Sequence, residues 1–142
     1  MYARQKGLTL VELMVVVAVM AIIAAIAYPL YTTQTQKARR ADAKIALEAI
    51  AMAQERFYTA NGSYTTSLSS LQVSTAIQGG NSDEGFYTIA APTLTGGGQG
   101  YWVRATADSS GAQASDAANC ATFTVDHTGR KTATGGSAST CW

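Results

Sequence analysis

The amino-acid sequence predicts an α+β fold, with one long N-terminal α-helix packed on an antiparallel sheet of about four strands. Three observations carry that expectation. Leu13 to Ala27 holds no polar side chain. Beyond Tyr31 the chain turns polar yet keeps a helical apolar period to about Ala60. After Gly62, short aromatic and β-branched runs alternate with connections rich in Gly, Ser and Thr. With 142 residues and an apolar front, there is room for one small domain.

The front of the chain divides sharply. Met1 to Gly7 is short and basic through Arg4 and Lys6, and from Leu8 to Tyr31 only Thr9, Glu12 and Pro29 interrupt the apolar residues. At the helical rise, such a segment reaches about 36 Å, enough to cross a bilayer's hydrocarbon core. The basic flank sets the N-terminus on the cytoplasmic side. A secretory signal fits the same composition, with Leu13 to Ile26 as its apolar region and Ala25-Ile26-Ala27 as its cleavage site. Three details weigh against it. Glu12 sits at the edge of the apolar run, where an unpartnered carboxylate is costly. Gly7 stands at the junction of charge and apolar stretch, and the sequence past Pro29 continues as helix. Thr9 and Glu12 have the spacing of a capping box, and a glutamate in the first turn complements the helix dipole. Pro29 lacks one N–H and crowds the carbonyl four residues earlier, which reads as a kink at the membrane surface.

The second half of the helix is amphipathic. Ala43, Leu47, Ile50, Ala53 and Phe57 form an apolar stripe, while Arg40, Lys44, Glu48 and Glu55 lie largely on the other side. Lys44 and Glu48 are spaced for an i,i+4 ion pair. Asn61-Gly62 is a helix stop, so one helix is expected from about Thr9 to Ala60. Lys37, Arg39 and Arg40 form a basic cluster between the halves and read as a solvated or lipid-headgroup face.

The strands expected after Gly62 are Phe86 to Ile89, Tyr101 to Ala105, Thr122 to Val125 and a return beginning at Arg130 to Thr132. Asp126 to Gly129 is the turn before that return, and Gly96-Gly97-Gly98 and Ser109 to Ala118 are connecting loops. Tyr101 and Trp102 are adjacent on one strand and so face opposite ways, one into the core.

Charge and side-chain chemistry narrow the function. With Arg4 and Lys6 set aside from the ten Lys and Arg, eight remain against nine Asp and Glu. Such a remainder has no basic field of the kind a dedicated nucleic-acid binder carries, and no specific nucleic-acid partner is evident. Nor is there a nucleophile–base pair, so the chain does not read as an enzyme. His127 is the one histidine and lies in a polar turn, and Asp83-Glu84 has too few neighbouring oxygens for calcium. No metal or cofactor is expected. The three-glycine run lacks the Lys-Ser/Thr of a phosphate loop. Asn61-Gly62-Ser63 fits a glycosylation acceptor, but a helix C-cap accounts for it more simply. Cys120 and Cys141 have one intramolecular pairing in an exported protein, worth about 3 kcal/mol in the chain-entropy account.

Lys6-Gly7-Leu8-Thr9-Leu10-Val11-Glu12-Leu13, followed by the apolar run with Pro29 and Tyr31, resembles the prepilin processing motif of type IV pilins. The resemblance implies cleavage after Gly7, N-methylation of Leu8 and retention of the apolar helix. It implies that Glu12, with Thr9 beside it, is an assembly carboxylate that pairs with the Leu8 amine of a neighbouring subunit. It implies that Pro29 is a weak point that unwinds during assembly. Leu8 stands where the family usually starts with Phe or Met, and Ala21 where it often has glycine. Arg39 to Lys44, Glu55 to Tyr64, Thr128 to Lys131 and the terminal Cys141-Trp142 are similar to the PilE-type minor pilins of type IVa systems. In that family the disulfide encloses a surface loop, here Ala121 to Thr140.

The organisation this implies is pilin-like: residues 1–7 a prepilin leader, 8–31 a transmembrane and filament-core half-helix, and 32–142 a periplasmic head. The implied partners are other pilin subunits, the prepilin peptidase/methyltransferase, the inner-membrane pilus assembly machinery and the lipid bilayer. The implied location is the inner membrane and then a cell-surface pilus serving adhesion, twitching motility or DNA uptake. A type II secretion pseudopilin and a soluble binding domain released after Ala27 are the alternatives. The basic cluster at Lys37 to Arg40 then reads also as a contact between subunits.

Overall fold

The computed structural model describes Gly7 and residues 9–142. Leu8 and residues 1–6, which contain most of the expected leader and the expected methylation point, lie outside the described residues. The chain divides into two compact units, residues 1–35 and 36–142, and one helix, α1 (Leu10–Asn61), contributes to both.

In the first unit, α1 is exposed from Leu10 through Tyr31. It is the one described helix long and apolar enough to cross a membrane. Its Val, Ile, Leu and Met side chains are exposed to an extent that would be unfavourable in water. The helix is assigned through Pro29 without a break. The hydroxyls of Thr32 and Thr33 both donate to the Pro29 carbonyl at 2.9 Å, and Thr35 donates to that of Tyr31 at 2.9 Å.

In the second unit, α1 packs on a five-stranded antiparallel sheet: β1 (Tyr87–Ile89), β2 (Thr93–Thr95), β3 (Gly100–Ala107), β4 (Thr122–Asp126) and β5 (Lys131–Thr134). The order is β1-β3-β4-β5, with β2 also paired to β3. β1 meets the C-terminal part of β3 and β2 its N-terminal part, so Tyr87 to Thr95 is one edge strand interrupted around Pro92. That short strand was not expected from the sequence. Thr93-Leu94-Thr95 lies between a proline and three glycines, which locally favours a loop, and pairing with β3 overrides it.

The apolar stripe of α1 is the core seam. Ala43, Ala46, Leu47, Ile50 and Ala53 are buried against Tyr87, Tyr101, Val103, Ala105, Phe123 and Val125. Alternation along β3 and β4 does the sorting: Tyr101, Val103, Ala105, Phe123 and Val125 point inward, while Trp102, Arg104, Thr122 and Thr124 take the outer face. Phe123 makes edge contacts with Tyr87 and Trp142 at centroid distances of 5.7 and 5.6 Å. Gly62 ends α1 with φ +73°, its N–H bonding the Tyr58 carbonyl at 2.8 Å, a left-handed cap that a side chain would strain.

The loop at Gly96 to Gly98 is latched to the end of α1. The Gly98 carbonyl accepts from the Tyr64 N–H at 3.0 Å, and the Tyr58 hydroxyl donates to Gln99 at 2.6 Å. Cys120, at the end of the short helix α2 (Ala117–Cys120), is joined to Cys141, at the end of α3 (Ala138–Cys141), and both are buried.

Candidate functional site

Two regions carry functional chemistry, one in each unit. In the first, Gly7, the expected cleavage point, is exposed. Thr9 and Glu12 form the reciprocal capping box. The Thr9 N–H donates to Glu12 Oε2 and the Glu12 N–H to Thr9 Oγ1, each at 3.2 Å, and the Thr9 hydroxyl also reaches Oε2 at 3.1 Å. One oxygen of Glu12 is thus occupied locally. The side chain sits in the first turn of an exposed apolar helix.

The second unit holds a buried polar cluster that departs from expectation. Arg40 was assigned to the solvated side, but it is buried, and its Nε and Nη2 bond the two oxygens of Asp116 at 2.7 and 2.6 Å. Gln113 Nε2 donates to Asp116 at 2.8 Å and to the Gln36 carbonyl at 3.1 Å. The hydrogen bonds that Arg40 donates to Asp116 hold its guanidinium pKa above the ordinary value, against the opposing effect of burial. Arg39 is also spent, donating to the Ala112 carbonyl at 2.8 Å with its guanidinium 5.0 Å from the centre of the Phe86 ring. The basic cluster therefore ties the Asp108 to Cys120 loop to α1, and of its three members only Lys37 is free on the exposed side. No local pattern marks such a pairing, because Arg40 and Asp116 are 76 residues apart.

Other expectations shift in the same way. Glu48 pairs with Lys131 at 2.8 Å and not with Lys44. Burial lowers the Lys44 pKa, with Arg40 and Lys131 adding repulsion. Asp42 accepts the backbone N–H groups of Glu84 at 3.1 Å and Phe86 at 3.3 Å. Gln54, fully buried on α1, exchanges two bonds with the backbone of Thr65, at 2.6 and 3.1 Å. These buried polar anchors were missed because a polar residue on a helix reads locally as solvent-facing.

The outer face of the sheet is open and carries threonine in every strand. Thr88, Thr106, Thr122 and Thr134 are successive cross-strand partners, as are Arg104, Thr124 and Thr132. Trp102 is opposite Asp126, and the Arg104 guanidinium lies 5.0 Å from the centre of the Trp102 ring. Beside them is a cleft of about 260 Å³ whose walls include Trp102, Thr124, His127, Arg130 and Thr132. Asp126 is consumed by its turn, bonding the Thr128 hydroxyl, the N–H groups of Thr128 and Arg130, and Arg130 Nε. The Thr128 hydroxyl, first among those donors, holds the Asp126 pKa below its ordinary value. His127 is exposed in that turn, as its setting in the sequence predicts. Gly100 is required beneath it, since a Cβ there would lie 2.5 Å from Thr95 Oγ1 and 2.9 Å from His127 Cε1. Tyr101 enters the core and Trp102 the outer face. No group of three or more potential metal ligands occurs among the described residues.

Comparison with known proteins bears on both regions. A family model described as "Type IV minor pilin ComP, DNA uptake sequence receptor" matches residues 29–124, and one for the prokaryotic N-terminal methylation motif matches residues 2–28. Among solved structures, a type IV pilin from Shewanella oneidensis is similar, at 26% identity and a TM-score of 0.46, over 68% of this chain and 89% of that one. No curated protein matches.

Proposed function

The chain belongs to the type IV minor pilin family described by the ComP model, and from that premise we propose that it serves DNA uptake as a subunit of a type IV pilus. The family is structural rather than catalytic. The observation that supports the reading is the wholly exposed apolar half of α1, opened by the Thr9–Glu12 box and continuous with a helix that packs the head.

In this reading the precursor sits in the inner membrane by residues 8–31, with its N-terminus cytoplasmic and its head periplasmic. The prepilin peptidase/methyltransferase cuts after Gly7 and methylates Leu8, and the assembly machinery moves the subunit into the fibre. Glu12 then pairs with the Leu8 amine of a neighbour. Each charge is costly in an apolar bundle without the other, so the pair sets register more than it adds stability. Pro29, one N–H short, is the place where α1 loosens as the helix leaves lipid. The fibre exposes the heads, and DNA is bound there.

Intact mass and N-terminal analysis of protein recovered from membranes tests the reading. The expected product begins at Leu8 and carries one added methyl group. A chain beginning at Tyr28 would mean a discarded signal and end the proposal. Glu12→Ala is expected to remain in the membrane and to be absent from sheared fibres, and wild-type amounts in fibres would refute the pairing.

A further inference from the structure

The apolar seam of α1 begins later than the head does. The second unit starts at Gln36, but the first buried residue along α1 is Arg40 and the first buried apolar one is Ala43. From Gln36 to Arg40 the side-chain hydrogen bonds to the rest of the head go to one loop, with a single addition. Gln36 Nε2 donates to Ser115 Oγ at 2.7 Å, the Gln36 carbonyl accepts from Gln113, Arg39 donates to the Ala112 carbonyl, and Arg40 forks onto Asp116. The addition is the last guanidinium nitrogen, Arg40 Nη1, which lies 3.5 Å from the Thr140 carbonyl. Both acceptors of Arg40 adjoin one covalent bond. Asp116 lies four residues before Cys120, and Thr140 immediately precedes Cys141. That bond is sealed, with Cys120 at 0% and Cys141 at 1% exposure. The chain crosses it so closely at Gly136 that a Cβ there would lie 2.5 Å from the Asn119 carbonyl oxygen and 3.1 Å from Cys141 Sγ.

We propose that Arg40 is the node of a redox-sensitive clamp, closed by the Cys120–Cys141 bond, that fixes α1 at Gln36 to Arg40 and opens when the bond is reduced. The cross-link restricts the freedom that would otherwise favour lifting the loop, and it keeps both acceptors on one buried guanidinium. A buried arginine is costly without its partner, so the loop does not leave α1 one bond at a time. The coupling is reciprocal: what the bond contributes to closing the loop, the closed loop contributes to the bond by keeping reductant from its sulfurs. Reduction consumes one dithiol, which gives up two electrons and two protons and becomes a cyclic disulfide, and it leaves Cys120 and Cys141 as thiols. The loop is then tethered only where β3 ends at Ala107 and β4 begins at Thr122, and α1 frays back toward Ala43, where apolar burial starts. With the clamp closed, loosening that starts at Pro29 stops at Gln36. This last consequence, unlike the clamp, rests on the assembly reading.

The test uses the full chain in detergent, dithiothreitol as the dithiol, and alkylation of the released thiols read by intact mass. Reduction requires the loop to open, so its rate follows the open fraction. Asp116→Asn, which keeps the shape and removes the charge, is expected to speed reduction about tenfold. Arg39→Gln, which removes only the Ala112 tie, is expected to speed it about threefold and serves if the first variant does not fold. Glu48→Gln, which breaks the exposed pair with Lys131, is expected to stay within about twofold of wild type. Hydrogen exchange reads the coupling in the other direction. In Cys120→Ser with Cys141→Ser, exchange over residues 36–42 relative to residues 46–57 is expected to rise about tenfold above the wild-type ratio. Unchanged reduction rates in both Asp116→Asn and Arg39→Gln would separate the bond from the loop and overturn the clamp. Equal acceleration by Glu48→Gln would overturn it too, since the bond would then merely follow the general stability of the head. So would residues 36–42 and 46–57 speeding up alike in the double cysteine variant. None of these readouts involves fibres, so failure of the clamp leaves the assembly reading standing.

Discussion

The two halves of α1 obey different rules. From Leu10 to Tyr31 every side chain is exposed, and the described side-chain hydrogen bonds there are local, as in the Thr9–Glu12 box. From Gln36 to Asn61 the helix is bound by partners remote in sequence: Asp116, Thr65, the Gly98 loop through Tyr64 at its end, and the sheet core. The first half is thus specified by solvent and the second by packing. A substitution in the first should alter location and assembly, and one in the second should alter folding.

The largest effect expected on that contrast comes from Asp116→Ala, which strands the buried Arg40 guanidinium. Loss of a partner in a buried pair costs about 3–5 kcal/mol, so denaturant unfolding of the head in detergent should weaken by that amount while membrane insertion is unchanged. A loss below about 1 kcal/mol, the range of exposed pairs, would show that Arg40 reaches solvent. Cys120→Ser with Cys141→Ser comes next, with an expected loss of about 3 kcal/mol, again read by head unfolding and again without effect on membrane association.

High pH separates the halves by a different route. Burial pushes the Tyr64 and Tyr87 phenols up to about 12, and pushes Tyr101 up as well. A raised folded pKa means the folded state holds its proton more tightly than the unfolded chain. That contribution is complete below the ordinary phenol pKa near 10 and is lost as pH rises through about 12. Tyrosinate absorbance should therefore appear together with unfolding of the head. Titration of these three tyrosines at pH 10 with the head still folded would contradict their burial. The smallest effect on stability is expected from Glu12→Ala. Loss of the cap costs about 0.5–2 kcal/mol of local helix stability and leaves head unfolding unmoved, so its consequence is confined to assembly. A lowered head melting temperature would break the separation of the two halves.

Much of this was legible in the residues. Apolar composition marked the exposed apolar half of α1, period marked its core stripe, Asn61-Gly62 marked its end, and alternation marked β3 and β4. Thr9 and Glu12 were readable as a box because their partners are three residues apart. The short strand β2 was not, since its residues have no local reason to extend and gain one only from β3. The basic cluster was misjudged for the same reason: sequence supplies the sign of Arg39 and Arg40 but not the remote carbonyl and carboxylate that absorb them.

By itself, then, the sequence determined what depends on neighbours within a turn or two: the long apolar half-helix, the capping box, the helix stop and the strand faces. Tertiary structure alone decided which charges cancel. Asp116 finds Arg40, Glu48 finds Lys131 instead of Lys44, and Asp126 pairs with Arg130 inside its own turn, which leaves Arg104 with no carboxylate partner among the described residues. The physical reason is range. Helical period and capping act over a few residues, whereas an ion pair between Arg40 and Asp116 exists only once the intervening chain has folded back on α1.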